Sequence, residues 1–176
     1  LDTIFSVVRY GNVMGSRGSV IPFFMSIAKD GLLPITDTRM TRFMITLDEG
    51  VDLVCHAFGD MIGGEIYVKK IPSMNILDVA KASAPDAKHE IVGIRPGEKL
   101  HEQMIGPEDA PHTYEYPEYY KILPAIHNWS QDPERISNGK LVQSDFTYSS
   151  DNNSDWMRVE TLSSWITQNS EKIGKI

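Results

Sequence analysis

Apolar positions along this chain fall into short blocks that switch between strand-like and helix-like spacing. Residues 3 to 8, from Thr3 through Ile4, Phe5 and Ser6 to Val7 and Val8, are β-branched and apolar with little interruption, which suits a buried strand of a parallel sheet. "RYGNVMGSRGSVIPFF", residues 9 to 24, then passes through a glycine-rich loop from Gly11 to Gly18. Ser19 can cap a helix with Pro22 in its first turn, carrying Phe23, Phe24, Ile27 and Ala28 to a stop at Gly31. The opening is therefore read as strand, loop and helix.

The same reading continues downstream. Thr46 followed by Glu49 forms a capping box, opening a helix with Val51, Leu53, Val54 and Phe58 on its apolar positions and an end near Gly59. "GGEIYVKK" supplies a strand over Glu65 to Val68, and a helix is expected from Ser73 through Ile76, Leu77, Val79 and Ala80 to just before Pro85. Ile91 and Val92 mark a short strand, and Pro96 fits the first position of a helix reaching Met104. "YYKIL", at 119 to 123, is a strand candidate; Leu162, Trp165 and Ile166 define an amphipathic helix over 159 to 168. Residues 129 to 155 read as loop.

Alternating strands and helices predict an α/β fold. Only one or two clear strands would join the first one, fewer than a stable sheet needs, so part of that sheet is expected to lie upstream.

Composition narrows the class. With 176 residues, 41% of them hydrophobic, one domain with a real core is expected. No apolar run approaches the roughly 20 residues of a membrane span, and the start lacks the features of a signal peptide, so no membrane association and a cytoplasmic location are expected. Cys55 is the sole cysteine and is expected to be buried filler on its helix; no Cys and His cluster has metal-ligand spacing. The net charge of -7 argues against nucleic-acid binding but leaves room for a small anion held by a few arginines.

A glycine-rich turn between strand and helix is a frequent phosphate cradle. Here Gly11, Gly15 and Gly18 are not spaced as G-x-x-G-x-x-G. Asn12 is either a turn asparagine or a carboxamide that donates to and accepts from a ligand. Arg42 and Arg95 offer forked donors to adjacent phosphates, or are surface arginines. Glu98 can reach ribose hydroxyls or favour a helix start, and Arg17 is a phosphate ligand or an oligomer contact. Lys99, His101 and Glu102 invite an acid-base reading that ordinary helical neighbours would also produce. "YEYPEYYKI", at 114 to 122, offers rings for stacking or half-buried packing.

"RYGNV", "MTRFMITLDEG" and "IRPGEKLHEQMI" together, with "GGEIYVKKIPSMNI" and the tail "DFTYSSDNNSDWM", resemble the second half of an extended short-chain dehydrogenase/reductase acting on nucleotide sugars. The resemblance is to inverting UDP-N-acetylglucosamine 4,6-dehydratases of pseudaminic acid and polysaccharide biosynthesis. It implies the carboxyl-terminal part of an NADP-binding Rossmann-type fold, with residues 1 to 30 giving a strand and helix to that sheet and the whole of 1 to 176 forming a single substrate-binding domain. It also implies oxidation at C4, loss of water across C5 and C6, and return of the hydride to C6 with inversion at C5. Asn12, Arg42, Arg95, Glu98 and Arg17 would then serve the UDP-sugar, and Tyr10, Gly11 and Asn12 would lie near the nicotinamide.

No tyrosine here has a lysine four residues later, and the Gly-rich pyrophosphate turn is absent. The chain is therefore expected to bind a UDP-sugar without turning it over, its cofactor-binding half being missing. Its partner would be a second copy or that missing amino-terminal half. A UDP-sugar 4-epimerase half and a non-catalytic assembly module are the alternatives.

Overall fold

The computed structural model describes residues 3–126 and 128–175. Strand β1 (Val7–Arg9) leads to β2 (Asn12–Val13) and helix α1 (Val20–Ile27), which ends in a short 3-10 turn at Gly31, left-handed at φ 70°. Strands β3 (Leu32–Ile35) and β4 (Thr41–Ile45) follow, then helix α2 (Leu47–Asp60). Its capping box is complete: the Thr46 hydroxyl accepts from the Glu49 N–H, and the Glu49 carboxylate accepts from the Thr46 N–H.

Next come β5 (Ile66–Lys69), β6 (Ser73–Asn75), α3 (Ile76–Ser83) and β7 (Lys88–Ile91). The remaining elements are β8 (Gln103–Ile105), β9 (Thr113–Glu115), β10 (Tyr119–Ile122), α4 (Pro133–Ile136), β11 (Lys140–Leu141), β12 (Tyr148–Ser149) and α5 (Val159–Gln168).

The largest sheet runs β1-β5-β10-β9-β11, with β1 parallel to β5 and the other pairings antiparallel. A second sheet, β2-β4-β6, pairs Asn12 with Met44 in parallel register. Strand β4 works as a partition, because alternate side chains leave a strand on opposite faces. Phe43 and Ile45 pack with Val68, Tyr120 and Tyr148, whereas Met44 packs with α1, α3 and α5 through Ile21, Phe24, Val79 and Leu162. Arg42 shares the Met44 face and so looks toward α1.

Parallel pairing at β1-β5, β2-β4 and β3-β7, interleaved with helices, gives the expected α/β class. The final helix has the anticipated bounds. Six expectations need correction. The sheet of β1 has five strands from this chain, where one or two clear partners were expected. Residues 129 to 155 are not all loop, since they hold α4, β11 and β12, β11 pairing with β9.

No helix spans 96 to 104. Residues 95–98 form a turn, with the Glu98 N–H donating to the Arg95 carbonyl at 3.0 Å and Gly97 at φ 83°, and 103–105 are strand β8. The Arg42 guanidinium takes the carbonyls of Lys99 and Leu100 that a helix would have used for its own ladder.

Residues 73 to 75 pair with β4 instead of opening α3, whose cap is Asn75, accepting from the Leu77 N–H at 2.8 Å. Of the first expected strand only Val7 and Val8 lie within β1, Thr3 to Ser6 approaching it as irregular chain. Finally, Cys55, Val51, Val54 and Phe58 are exposed, α2 burying Gly50, Leu53 and Ala57 instead. No described helix is long and apolar enough to cross a membrane.

Candidate functional site

Strand β2 is two residues long and exists because the backbone of β1 turns directly onto β4. Gly11 makes that approach possible: a Cβ there would sit 2.4 Å from the Phe43 Cβ and 2.6 Å from the Phe43 carbonyl oxygen. Only glycine fits against a neighbouring backbone at that distance.

Asn12, one residue on, lines two clefts at once. One, of about 730 Å³, is bordered by Ser19, Phe23, Arg42, Arg95 and Glu98. The other, of about 520 Å³, is bordered by Arg9, Tyr10, Lys99, Glu102 and Met104.

The first cleft has an electropositive wall. Helix α1 points its amino terminus at it, where the first N–H groups have no intrahelical partner. Ser19 is the cap residue, yet its hydroxyl makes no capping bond and is buried without a partner among the described residues. Arg95 is exposed on the facing turn, and Glu98 is half-buried, its carboxylate accepting from the Arg95 N–H at 3.3 Å.

Arg42 sits between the clefts with a side chain 14% exposed. Its guanidinium donates to the carbonyls of Thr41 at 2.7 Å, Leu100 at 3.1 Å and Lys99 at 2.9 Å. Those bonds leave two hydrogens, one on Nη2 for a ligand and one on Nε, which lies 3.7 Å from Glu102. Asn12, Arg42, Arg95 and Glu98 are thus brought together, and Tyr10 and Gly11 lie on the adjoining rim. Arg17 is exposed beside Gly18 and lines neither cleft.

The second cleft is organised around Glu102, which the sequence offers only as one of three titratable neighbours on an expected helix. Its carboxylate accepts from the Phe43 N–H at 3.3 Å and lies 3.7 Å from the Arg42 Nε. Burial raises the carboxyl above the usual glutamate range; the Phe43 N–H and the charges of Arg42 and Lys99 act in the opposite sense. The Asn12 carboxamide faces it, and the orientation that satisfies both groups puts the amide nitrogen 3.1 Å from each Glu102 oxygen.

Ser150 fixes this segment from far along the chain. The Glu102 N–H donates to the Ser150 hydroxyl at 2.9 Å, and the Ser150 N–H donates back to the Glu102 carbonyl at 2.7 Å. Ser150 and Thr41 share a further hydroxyl bond of 2.7 Å, with His101 Nδ1 2.8 Å from the same Thr41 oxygen. Arg9 secures the next strand, donating to the Met104 carbonyl at 2.9 Å and pairing with Asp109 at 3.0 Å. Contacts spanning about a hundred residues leave no local mark, so Ser150 and Arg9 were not legible as site residues. The three segments of the sequence that carry the resemblance do meet here.

At Gly15 the glycine loop is closed to phosphate, whereas Gly18 is exposed and lines the first cleft. Gly15 is buried against Trp165, where a Cβ would sit 2.9 Å from the ring, and both Gly15 and Gly18 hold left-handed backbone near +72° and +76°. Gly15 serves packing, and both serve turn geometry. Among the described residues, no group of three or more His, Cys, Asp or Glu side chains is placed to hold a metal.

Comparison with known proteins gives these clefts a context. Residues 1–124 match the family described as polysaccharide biosynthesis protein. The chain is 53% identical over 168 residues to UDP-N-acetylglucosamine 4,6-dehydratase (inverting) of Campylobacter jejuni, covering 92% of this chain and 50% of that protein. It is 44% identical over 126 residues to UDP-glucose 4-epimerase of Rickettsia conorii, covering 69% of this chain and 37% of the relative. The X-ray structure of Pen from Bacillus thuringiensis superposes with a TM-score of 0.82 at 31% identity, over 96% of this chain and 51% of Pen. The chain spans about half the length of the dehydratases it matches. With a family match over most of its length and an identity of 53% across 92% of it, this chain belongs to the polysaccharide biosynthesis protein family.

Proposed function

We propose that this chain is the sugar-nucleotide-binding part of a C5-inverting UDP-N-acetylglucosamine 4,6-dehydratase of the kind that serves pseudaminic acid and polysaccharide biosynthesis. The observation that supports it is the joining of two clefts at Asn12, under an arginine pair and an open helix amino terminus. A diphosphate would lie in the larger cleft, facing Arg95, the free Nη2 hydrogen of Arg42 and the α1 terminus. The sugar would extend past Asn12 toward Tyr10 and Gly11.

The described residues do not themselves fit a dinucleotide. Gly15 of the glycine loop is packed against Trp165, and the sequence has no Tyr-x-x-x-Lys pair to move a proton. What remains for the nicotinamide of NADP is the rim at Tyr10 and Gly11. We therefore expect binding without turnover from this chain alone.

A partner surface supports the same reading. Strand β1 is the edge of its sheet, and beside it Phe5, Val7 and the α2 residues Leu47, Val51, Val54 and Phe58 are exposed, Phe58 at 76%. An unpaired edge next to an apolar helix stripe is where another strand and helix would dock. We assign it to the half of the dehydratase length that this chain does not span, contributing a strand beside β1.

The Rickettsia relatives make a 4-epimerase half the second reading within the same site, and a non-catalytic assembly module the reading outside it. Thermal unfolding with added UDP separates binding from assembly, since a ligand bound only by the folded state raises the midpoint. A rise with UDP and no 4-keto-6-deoxy product from UDP-N-acetylglucosamine and NADP is expected. An unchanged midpoint at millimolar UDP would overturn the binding assignment, and product formed by the purified chain would overturn the expected inactivity.

A further inference from the structure

We propose that Glu102 is a positioning residue that fixes the orientation of the Asn12 carboxamide, so that a sugar nucleotide meets Asn12 as a hydrogen-bond acceptor. This rests on the reading that Asn12 faces the ligand. An asparagine side chain is ambiguous in isolation: its two ends carry opposite polarity and differ little in shape. The end of Asn12 that faces Glu102 meets two carboxylate oxygens, which only accept, and with the amide nitrogen turned that way it stands 3.1 Å from each. A carbonyl in that place would confront two acceptors without a proton between them. The carbonyl end is therefore turned away from Glu102.

The carboxylate is itself held in place from several directions. The Phe43 N–H of β4 donates to it, and Arg42 Nε approaches at 3.7 Å. The Glu102 backbone is tied in both directions to Ser150, whose own exposure is 0%. Asn12 is fixed too, because β2 is registered on β4 and Gly11 allows no slack against Phe43. The other charged and titratable groups lining this cleft are Arg9, Tyr10 and Lys99. Lys99 and Arg42 supply positive charge that favours ionised Glu102, while burial opposes it.

The consequence concerns which part of the ligand touches Asn12. A phosphate oxygen needs a donor and would be served by Arg95 or the α1 amino terminus. Asn12, presenting oxygen, suits a ligand O–H or N–H, such as a sugar hydroxyl or the N–H of a 2-acetamido group. An amide free to turn could accept either, so Glu102 confers selectivity between the two ends of the same ligand.

The orientation is tested first without ligand. In ¹⁵N-labelled protein, the Asn12 side-chain NH₂ signals should shift with pH along one ionisation whose midpoint lies above the ordinary glutamate value of about 4.3. That titration should vanish in Glu102→Gln while backbone dispersion shows the fold intact. Asn12 signals that stay constant while Glu102 ionises in the unaltered protein would overturn the proposal, whatever the variant does.

The second arm uses UDP-N-acetylglucosamine as probe. Asn12→Asp sets two carboxylates face to face and should weaken binding about tenfold or more. The double variant Asn12→Asp with Glu102→Gln restores the bond in reverse, with the same net charge and an acceptor still facing the ligand. It should recover binding to within about threefold of the unaltered protein. A double variant as weak as Asn12→Asp would overturn the acceptor assignment. Failure of the unaltered protein to bind the probe would instead defeat the reading of the cleft, leaving the pH titration to judge Glu102.

Discussion

Gly11 shows how one residue positions the site. Its missing side chain lets the β1-β2 turn lie against the Phe43 backbone, and this contact sets Asn12 opposite Met44. Gly11→Ala must push the two strands apart, because both the Cβ and the carbonyl of Phe43 are in the way. We expect a loss of about 1–3 kcal/mol in urea unfolding, in the range of overpacked interiors. A change under about 0.5 kcal/mol would mean that the strands part freely. The sequence showed a glycine in a turn; that its neighbour is a strand some thirty residues later could not be read from it. Asn12 was legible as a candidate by type, whereas the polarity of its exposed end depends on Glu102.

Among the elements, the segment from Arg95 to Glu102 departs most from its local signal. Pro96 followed by Glu98 and Lys99 has the composition of a helix start, yet the segment is a strap whose carbonyls are held by Arg42. A long-range guanidinium outbids local propensity here because it satisfies two carbonyls at once and is itself mostly shielded from water. Arg42→Lys keeps the charge and loses the fork. Hydrogen exchange should then speed up about tenfold at the backbone amides of 98–102, equivalent to about 1.4 kcal/mol of local opening, with the α3 and α5 amides unchanged. Equal protection in both proteins would show that Ser150 holds the strap by itself. By contrast α2 and α5 were read closely from sequence, since a capping box and a 3.6-residue apolar period are local features.

At the scale of the molecule, α2 lies where the sequence predicts it, but of its four expected apolar positions only Leu53 is buried. Periodicity marks which residues are apolar together, but Val51, Val54 and Phe58 are exposed while Leu53 and Ala57 meet Tyr67. An apolar stripe with nothing over it, next to an unpaired strand edge, makes the isolated chain prone to associate. Sedimentation should show mass rising with concentration, and Val51→Asp with Phe58→Asp should return it to a monomer while the far-ultraviolet spectrum stays the same. A monomer at all concentrations before substitution would count against the stripe as a docking surface.

The sequence by itself determined the α/β class, the capped and periodic helices, the lack of a dinucleotide turn and the residues that carry the family resemblance. Each of these is written within a few turns of chain, where spacing and residue type act directly. Only the tertiary structure decided that Asn12 joins two clefts, that Glu102 orients it, that Arg42 spends most of its donors on the chain, and that α2 leaves its broad apolar face uncovered. Those outcomes depend on which distant backbone arrives beside each residue, as Ser150 does beside Glu102 and Phe43 beside Gly11. Local pattern carries polarity and period, while the partner that uses them is chosen by packing.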